Sequence, residues 1–253
     1  MDAIQLGALC AVALLAGTVD AIAGGGGLVT VPALLWALPD PTVVLGTNKG
    51  QSAWGSLSAL IQFARKGYVD VRRAPFAFAS GFAGSLVGSH AVLAIPKSLL
   101  RARVLALLVA VAAALALRRE LSTPAVALDP ATRSLRAAAI ALAIGAYDGF
   151  FGPGTGTFLI MASVTLLGDA LSRASANAKV VNLASNLAAL LVFAMNGKVL
   201  WSVALPMAGA QMVGGAIGAR LTIRGGDRFV RGVVLAVVVA LVARLAWDLQ
   251  HTR

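Results

Sequence analysis

The sequence predicts an all-α integral membrane protein made of two homologous helical repeats, with glycine-broken helices and 8 to 10 membrane segments. Three observations predict it. Mean hydropathy is +0.87 and only 12% of residues are charged, where a soluble domain carries about a quarter. Apolar windows of roughly 20 residues recur along the chain, each about what a helix rising ~1.5 Å per residue needs to cross a ~30 Å hydrocarbon core. Finally, the second half of the chain repeats the punctuation of the first.

The elements follow in order. The opening MDAIQLGALC has no basic residue ahead of its apolar run, so residues 3–23 read as a spanning helix and not as a cleaved leader. That run is cut at Gly24–Gly27 and again at Pro32. Glycine costs up to ~1 kcal/mol against alanine inside a helix, and four together beside a proline make a break. A short apolar piece near 28–38 follows, then spans near 42–63, 74–95 and 100–118, which complete a first repeat over residues 1–118. The most polar connection, RRELSTPAVALDPATR, holds the connecting loop 119–132. The second repeat, 133–253, has a span near 133–150, a break at Gly152–Gly156, a short piece near 156–168, and spans near 173–196, 200–222 and 229–249.

Aligned by their breaks, GTVDAIAGGGG from Gly17 lies under GAYDGFFGPGTG from Gly145, so that Asp20 matches Asp148 and Gly24 matches Gly152. Further on, Lys49 matches Lys179, Gly67 matches Gly197, Gly84 matches Gly214, Gly88 matches Gly218 and Arg101 matches Arg231, all at one constant offset. If the two short pieces dip in and return, each half crosses four times and the repeats are parallel; if they cross, each half crosses five times and the repeats are inverted. The basic loops favour five plus five. In that arrangement Arg65, Lys66, Arg72 and Arg73, then Arg118, Arg119, Arg133 and Arg136, then Arg220, Arg224, Arg228 and Arg231 share one side, the cytoplasmic one by the positive-inside rule.

Composition excludes several classes of function. The formal charge of +11 is scattered between apolar segments and not gathered on one face, so no nucleic-acid partner is expected. One cysteine, Cys10, and two histidines, His90 and His251, leave no His/Cys metal set. The glycines are not followed by the Lys-Ser/Thr of a phosphate loop. No metal or cofactor is expected.

Three groups of residues carry the candidate chemistry. The glycine breaks, Gly25, Gly26 and Gly27 in one half and Gly154, Thr155 and Gly156 in the other, expose helix N-termini whose N–H groups and dipole suit an anion; the competing reading is close helix packing. The polar segments GTNKGQSAWGS and ANAKVVNLASN offer Thr47, Asn48, Lys49, Gln51 and Ser52, and Asn177, Lys179, Asn182 and Asn186. Lys49, Ser52 and Ser56 fall on one helical face, as do Lys179, Asn182 and Asn186. A lysine inside a membrane costs ~2.5–3.5 kcal/mol on insertion scales, so a matched pair implies a polar cavity unless both snorkel to the interface. Asp20 and Asp148 precede the breaks. They read equally as proton carriers, partners of the lysines, or caps for the restarting helices.

The strings TVDAIAGGGGLVTVPALL, LGTNKGQ, YDGFFGPGTGTF, ANAKVVN and GGAIGARLTIRGG resemble the TauE/SafE family of bacterial membrane permeases, the sulfite exporters, over essentially the whole chain. The resemblance implies a multi-pass carrier in the cell inner membrane for small sulfur-containing anions such as sulfite or organosulfonates, energised by an ion gradient and not by ATP. It maps the family motif onto the glycines at 24–27, onto Thr47, Asn48, Lys49 and Gln51, onto Asp148, Gly152, Pro153 and Gly154, and onto Lys179 and Asn182. Gly50 and Ala176-Asn177 depart from the family pattern. The expected partners are thus a small anionic substrate and the lipid bilayer, and a homodimer is compatible with a carrier of this size. A passive anion channel would use the same cavity. An intramembrane aspartyl hydrolase built on Asp20 and Asp148 is the rival from another class, although Leu166 stands where the first glycine of its second motif would be.

Overall fold

A computed structural model describes residues 1–96 and 128–251, with residues 100, 104, 106, 107 and 110 between them, and side chains as far as residue 236. The span expected near 100–118 falls largely outside the described residues, as does the connecting loop up to residue 127. Among the described residues the chain forms eight helices and no strand: α1 (Ala3–Ala23), α2 (Gly26–Ala37), α3 (Pro41–Arg65), α4 (Ala74–Leu93), α5 (Pro130–Phe150), α6 (Thr155–Leu167), α7 (Leu171–Met195) and α8 (Trp201–His251). By length and composition α1, α4, α7 and the Trp201–Ala236 stretch of α8 are able to cross a bilayer, while α2 and α6 are shorter apolar helices.

Local chemistry sets most of these boundaries. Asp2, Asp40 and Asp129 are the N-caps of α1, α3 and α5, each accepting a backbone N–H from the first turn at 2.7–2.9 Å, and Pro41 and Pro130 follow two of them at the first helical position. α8 contains the two spans expected near 200–222 and 229–249 as two helices that meet at a kink. Gly226, at φ 62° and ψ −162°, is the single non-helical residue between them, so the connection is shorter than expected and Arg220, Arg224, Arg228 and Arg231 lie on helix beside it.

In lipid the hydrophobic effect does not drive helices together, so packing depends on close backbone approach. Glycine supplies it at two seams. Along α4 and α5, a Cβ at Gly84 or Gly88 would collide with the carbonyl oxygens of Leu142 and Ala146. Along α8 and α1, Gly214 and Gly218 meet the carbonyl oxygens of Leu14 and Thr18 in the same way. Both pairs are spaced i, i+4, the small-xxx-small pattern that places two small residues on one face. The long helices α3 and α7 pack on each other and on α8 and α4 respectively, with α2 and α6 against them. That arrangement brings both glycine breaks and both lysine-bearing helices to the middle of the molecule.

Candidate functional site

Each break leaves backbone groups that lipid cannot satisfy. At the first, α1 ends at Ala23 and Gly24 takes φ 74° and ψ 178°, a conformation essentially reserved for glycine. The last four carbonyls of α1 all find donors. Lys179 Nζ donates to the Asp20 carbonyl at 2.6 Å. Ser175 Oγ reaches those of Ala21 and Ile22 at 2.9 and 2.8 Å. Thr157 Oγ1 donates to that of Ala23 at 3.0 Å. Every one of these donors comes from the second half of the chain, and a lysine at a helix C-terminus also meets the negative end of its dipole.

The side chains then form two ion pairs, one fully and one partly buried, each joining the halves. Lys49 Nζ lies 2.9 Å from Asp148 Oδ1, and Lys179 Nζ lies 2.7 Å from Asp20 Oδ2. The lysines are 1% and 0% exposed, which rules out the snorkelling reading, since neither ammonium reaches an interface. Asp148 is saturated further by Thr155 Oγ1 at 2.8 Å and Ser185 Oγ at 2.5 Å. Asp20 Oδ1 accepts the Gly26 N–H at 3.2 Å, so this carboxylate pairs with a lysine and caps a restarting helix at once.

Both restarting helices begin on a left-handed glycine, Gly25 (φ 89°) for α2 and Gly154 (φ 85°) for α6, and neither N-cap glycine has a side chain to close its first turn. Their first turns line one cavity through Gly25 and Gly27 and through Gly154, Thr155 and Gly156. Around them stand Asn48, Lys49, Ser52 and Ser56 of α3, Asn182 and Asn186 of α7, and Gln211 of α8, with Asp20, Asp148 and Gly152. Asn48 Oδ1 accepts from Thr30 Oγ1 at 2.6 Å and Gln51 Nε2 at 2.9 Å, leaving its NH₂ group for the cavity. The space is tight. It has room for little more than a bound water.

The structure brings together most of the residues the sequence singles out, and it places five elsewhere. Gly26 and Lys179 serve Asp20 behind the cavity. Thr47 Oγ1 accepts the Leu200 N–H at 3.0 Å and so ties α3 to the start of α8. Gln51 orients Asn48. Asn177 belongs to a separate, partly buried cluster, in which its Oδ1 accepts the Asp70 N–H at 2.9 Å, while Arg73 pairs with Asp169 at 2.5 Å and Asp70 at 3.1 Å. Asn177→Ala is accordingly expected to lower stability by about 0.5–1.5 kcal/mol, the worth of a partly buried hydrogen bond, and to leave the cavity and any ligand affinity there unchanged; thermal unfolding and a binding isotherm on the same sample check both. Gln211 is the cavity residue that sequence reasoning missed. Its only signal is a lone amide in an otherwise apolar span.

A multi-pass helical bundle whose two broken helices open on a shared polar cavity is the construction of a membrane transporter, and known proteins similar to this chain agree. The family model for the sulfite exporter TauE/SafE matches residues 9–245. Similar proteins include the probable membrane transporter protein YfcA of Escherichia coli (strain K12), 37% identical over 247 residues that cover 96% of this chain and 90% of the relative. The probable membrane transporter protein of Haemophilus influenzae is 36% identical over 96% of this chain and 95% of its own length. The probable membrane transporter protein ORF9 of a Sinorhizobium species is 37% identical over 94% and 91%. No solved structure matches the chain. The chain belongs to the TauE/SafE sulfite exporter family: it is a membrane transporter and not an enzyme.

Proposed function

We propose that this transporter is a secondary carrier that moves a small sulfur-containing anion, sulfite or a sulfonate, across the inner membrane at the expense of an ion gradient. The observation that carries this reading is the convergence of two glycine-capped helix N-termini and the Lys49 ammonium on one polar cavity. Sulfur oxyanions present several acceptor oxygens, and backbone N–H groups, amides and hydroxyls are the donors that match them. An ordinary sulfur oxyanion needs more room than the cavity offers, so the surrounding helices part to admit it.

The two halves act as inverted repeats. Each lysine pairs with the aspartate of the other half, and α4 and α8 sit across glycine seams on α5 and α1, which are related in the same crossed fashion. Alternating access then rocks one half against the other about the two ion pairs. Against a shared-proton hydrolase stands the pairing of each carboxylate with its own lysine, because a catalytic dyad requires the two acids to share one proton.

The test is uptake of radiolabelled sulfite by liposomes containing the purified protein. A carrier gives flux that saturates with sulfite and accelerates when a proton or sodium gradient is imposed. Flux that rises linearly to high concentration and ignores both gradients contradicts the carrier reading and establishes a channel.

A further inference from the structure

The two repeat-matched aspartates, Asp20 and Asp148, are held by partners of different chemistry. Asp20 accepts from the Gly26 N–H at 3.2 Å and from the Lys179 ammonium at 2.7 Å. Both of these groups only donate, so a proton placed on Asp20 finds no acceptor in either of them. Asp148 accepts from Lys49 and from two hydroxyls, Thr155 Oγ1 at 2.8 Å and Ser185 Oγ at 2.5 Å. Each hydroxyl also has a carbonyl within reach: Thr155 Oγ1 lies 2.6 Å from the Gly152 oxygen, and Ser185 Oγ lies 3.2 Å from that of Asn182. A hydroxyl has a single proton to give and turns it whichever way suits. Turned to Asp148 it serves a carboxylate; turned to its carbonyl it presents a lone pair and accepts from a carboxylic acid. Asp148 is therefore hydrogen-bonded whether charged or neutral, which its counterpart is not.

The same carboxylate stands where the anion arrives. Asp148 and Lys49 both line the cavity, and a Cβ on the cavity glycine Gly152 would come within 2.8 Å of Lys49 Nζ and 3.1 Å of Asp148 Oδ1. An anion against Lys49 makes two negative groups share one ammonium. The carbonyl ends of α1 and α5, which close on the same breaks, add negative potential of their own and sharpen the conflict. A proton on Asp148 removes it, as when two carboxylates at one site hold a single proton between them. The other titratable groups around Asp148 are engaged. Tyr147, beside it on α5, donates its hydroxyl to the Pro153 carbonyl, and Lys179 on α7 is held by Asp20. Here α4 meets α5 through Ser85 and Gly88, and α6 meets it through Thr155, none of which titrates.

We infer that Asp148 is the proton-binding site of the carrier: the anion takes the Lys49 ammonium, Asp148 takes a proton from solvent in exchange, and the two cross together, while Asp20 stays ionised against Lys179. The inference rests on the anion-carrier reading and names its coupling ion and the residue that holds it. Thr155 and Ser185 are positioning residues in this scheme, since they accept the acid in one state and serve the carboxylate in the other.

Isothermal titration of the full chain in detergent tests it with methanesulfonate and ethanesulfonate, probes that remain monoanions throughout the neutral range. Repeating each titration in buffers of different ionisation enthalpy counts the protons taken up with the anion. The wild type is expected to bind about one proton per anion, and its affinity to fall about 10-fold for each unit by which the pH is raised above neutral. Asp148→Asn, which places a neutral group of the same shape between the two hydroxyls, is expected to bind with no proton uptake and with an affinity independent of pH. Asp20→Asn is expected to keep the wild-type proton count. If the variants do not fold, the wild-type count and its pH slope decide alone. Binding without proton uptake overturns the inference and leaves the anion-carrier reading intact. Proton uptake that survives in Asp148→Asn overturns the assignment to that residue. No binding of either probe overturns the anion-site reading, and this inference with it.

Discussion

Lys49→Ala is expected to lower stability by about 3–5 kcal/mol, the cost of removing one partner from a buried ion pair, and to abolish anion flux. The cost arises at Asp148. Its carboxylate is 5% exposed and would keep Thr155 and Ser185 but lose the ammonium that balances its charge. Removing the pair together separates the two effects. Lys49→Ala with Asp148→Ala leaves no uncompensated charge, so most of the lost stability returns, as replacement of whole buried pairs shows elsewhere. Flux does not return, because the ammonium that lines the cavity is gone. Thermal unfolding in detergent and liposome uptake on the single and double variants measure the two outcomes. Stability that stays down in the double variant would mean that Lys49 acts through packing and not through its charge.

Gly24→Ala is expected to be more damaging still, above about 4 kcal/mol, a size that single substitutions reach only by an identifiable mechanism. Two mechanisms combine. The backbone at φ 74° and ψ 178° lies in a region that alanine enters at a cost of about 1–3 kcal/mol. A Cβ there would also overlap the Thr157 nitrogen and the Gly156 carbonyl carbon, so the two breaks would be driven apart where they touch. Gly7→Ala is the control: nothing lies within 4 Å of its added Cβ, and the change is expected to be neutral or to gain up to about 1 kcal/mol of helix propensity. Size-exclusion profiles and unfolding temperatures of the two variants check the contrast. A Gly24→Ala protein that unfolds within a few degrees of the wild type would contradict the close meeting of the breaks.

Much of this fold is legible in the sequence because membrane segments announce themselves by apolar length and glycine breaks. The expected spans near 3–23, 42–63 and 173–196 lie within two residues of α1, α3 and α7 at each end. The turn that the Gly-Gly pair between arginines announces inside α8 is there, shortened to a kink at Gly226 between two helices. The site is legible in part, and helix geometry explains which part. Neighbours two apart in sequence point in nearly opposite directions at 100° per residue. Asn177 therefore faces away from Lys179, and Thr47 and Gln51 face away from Lys49, while Lys49, Ser52 and Ser56 stay together on the cavity. The crossed pairing of lysines and aspartates needs the packing of the two halves and has no local signature. Neither has the capping of α1 by Ser175 and Thr157, small residues that in lipid-embedded helices pass for packing surface.

The anion is expected to sit between the two broken helices, against Lys49. Crystals of the protein soaked in selenite, a heavy analogue of sulfite, test it through the anomalous scattering of selenium. One strong peak is expected within hydrogen-bonding range of the Gly27 and Gly156 backbone nitrogens and of the Lys49 ammonium. A peak elsewhere in the bundle, with this cavity empty, would contradict it.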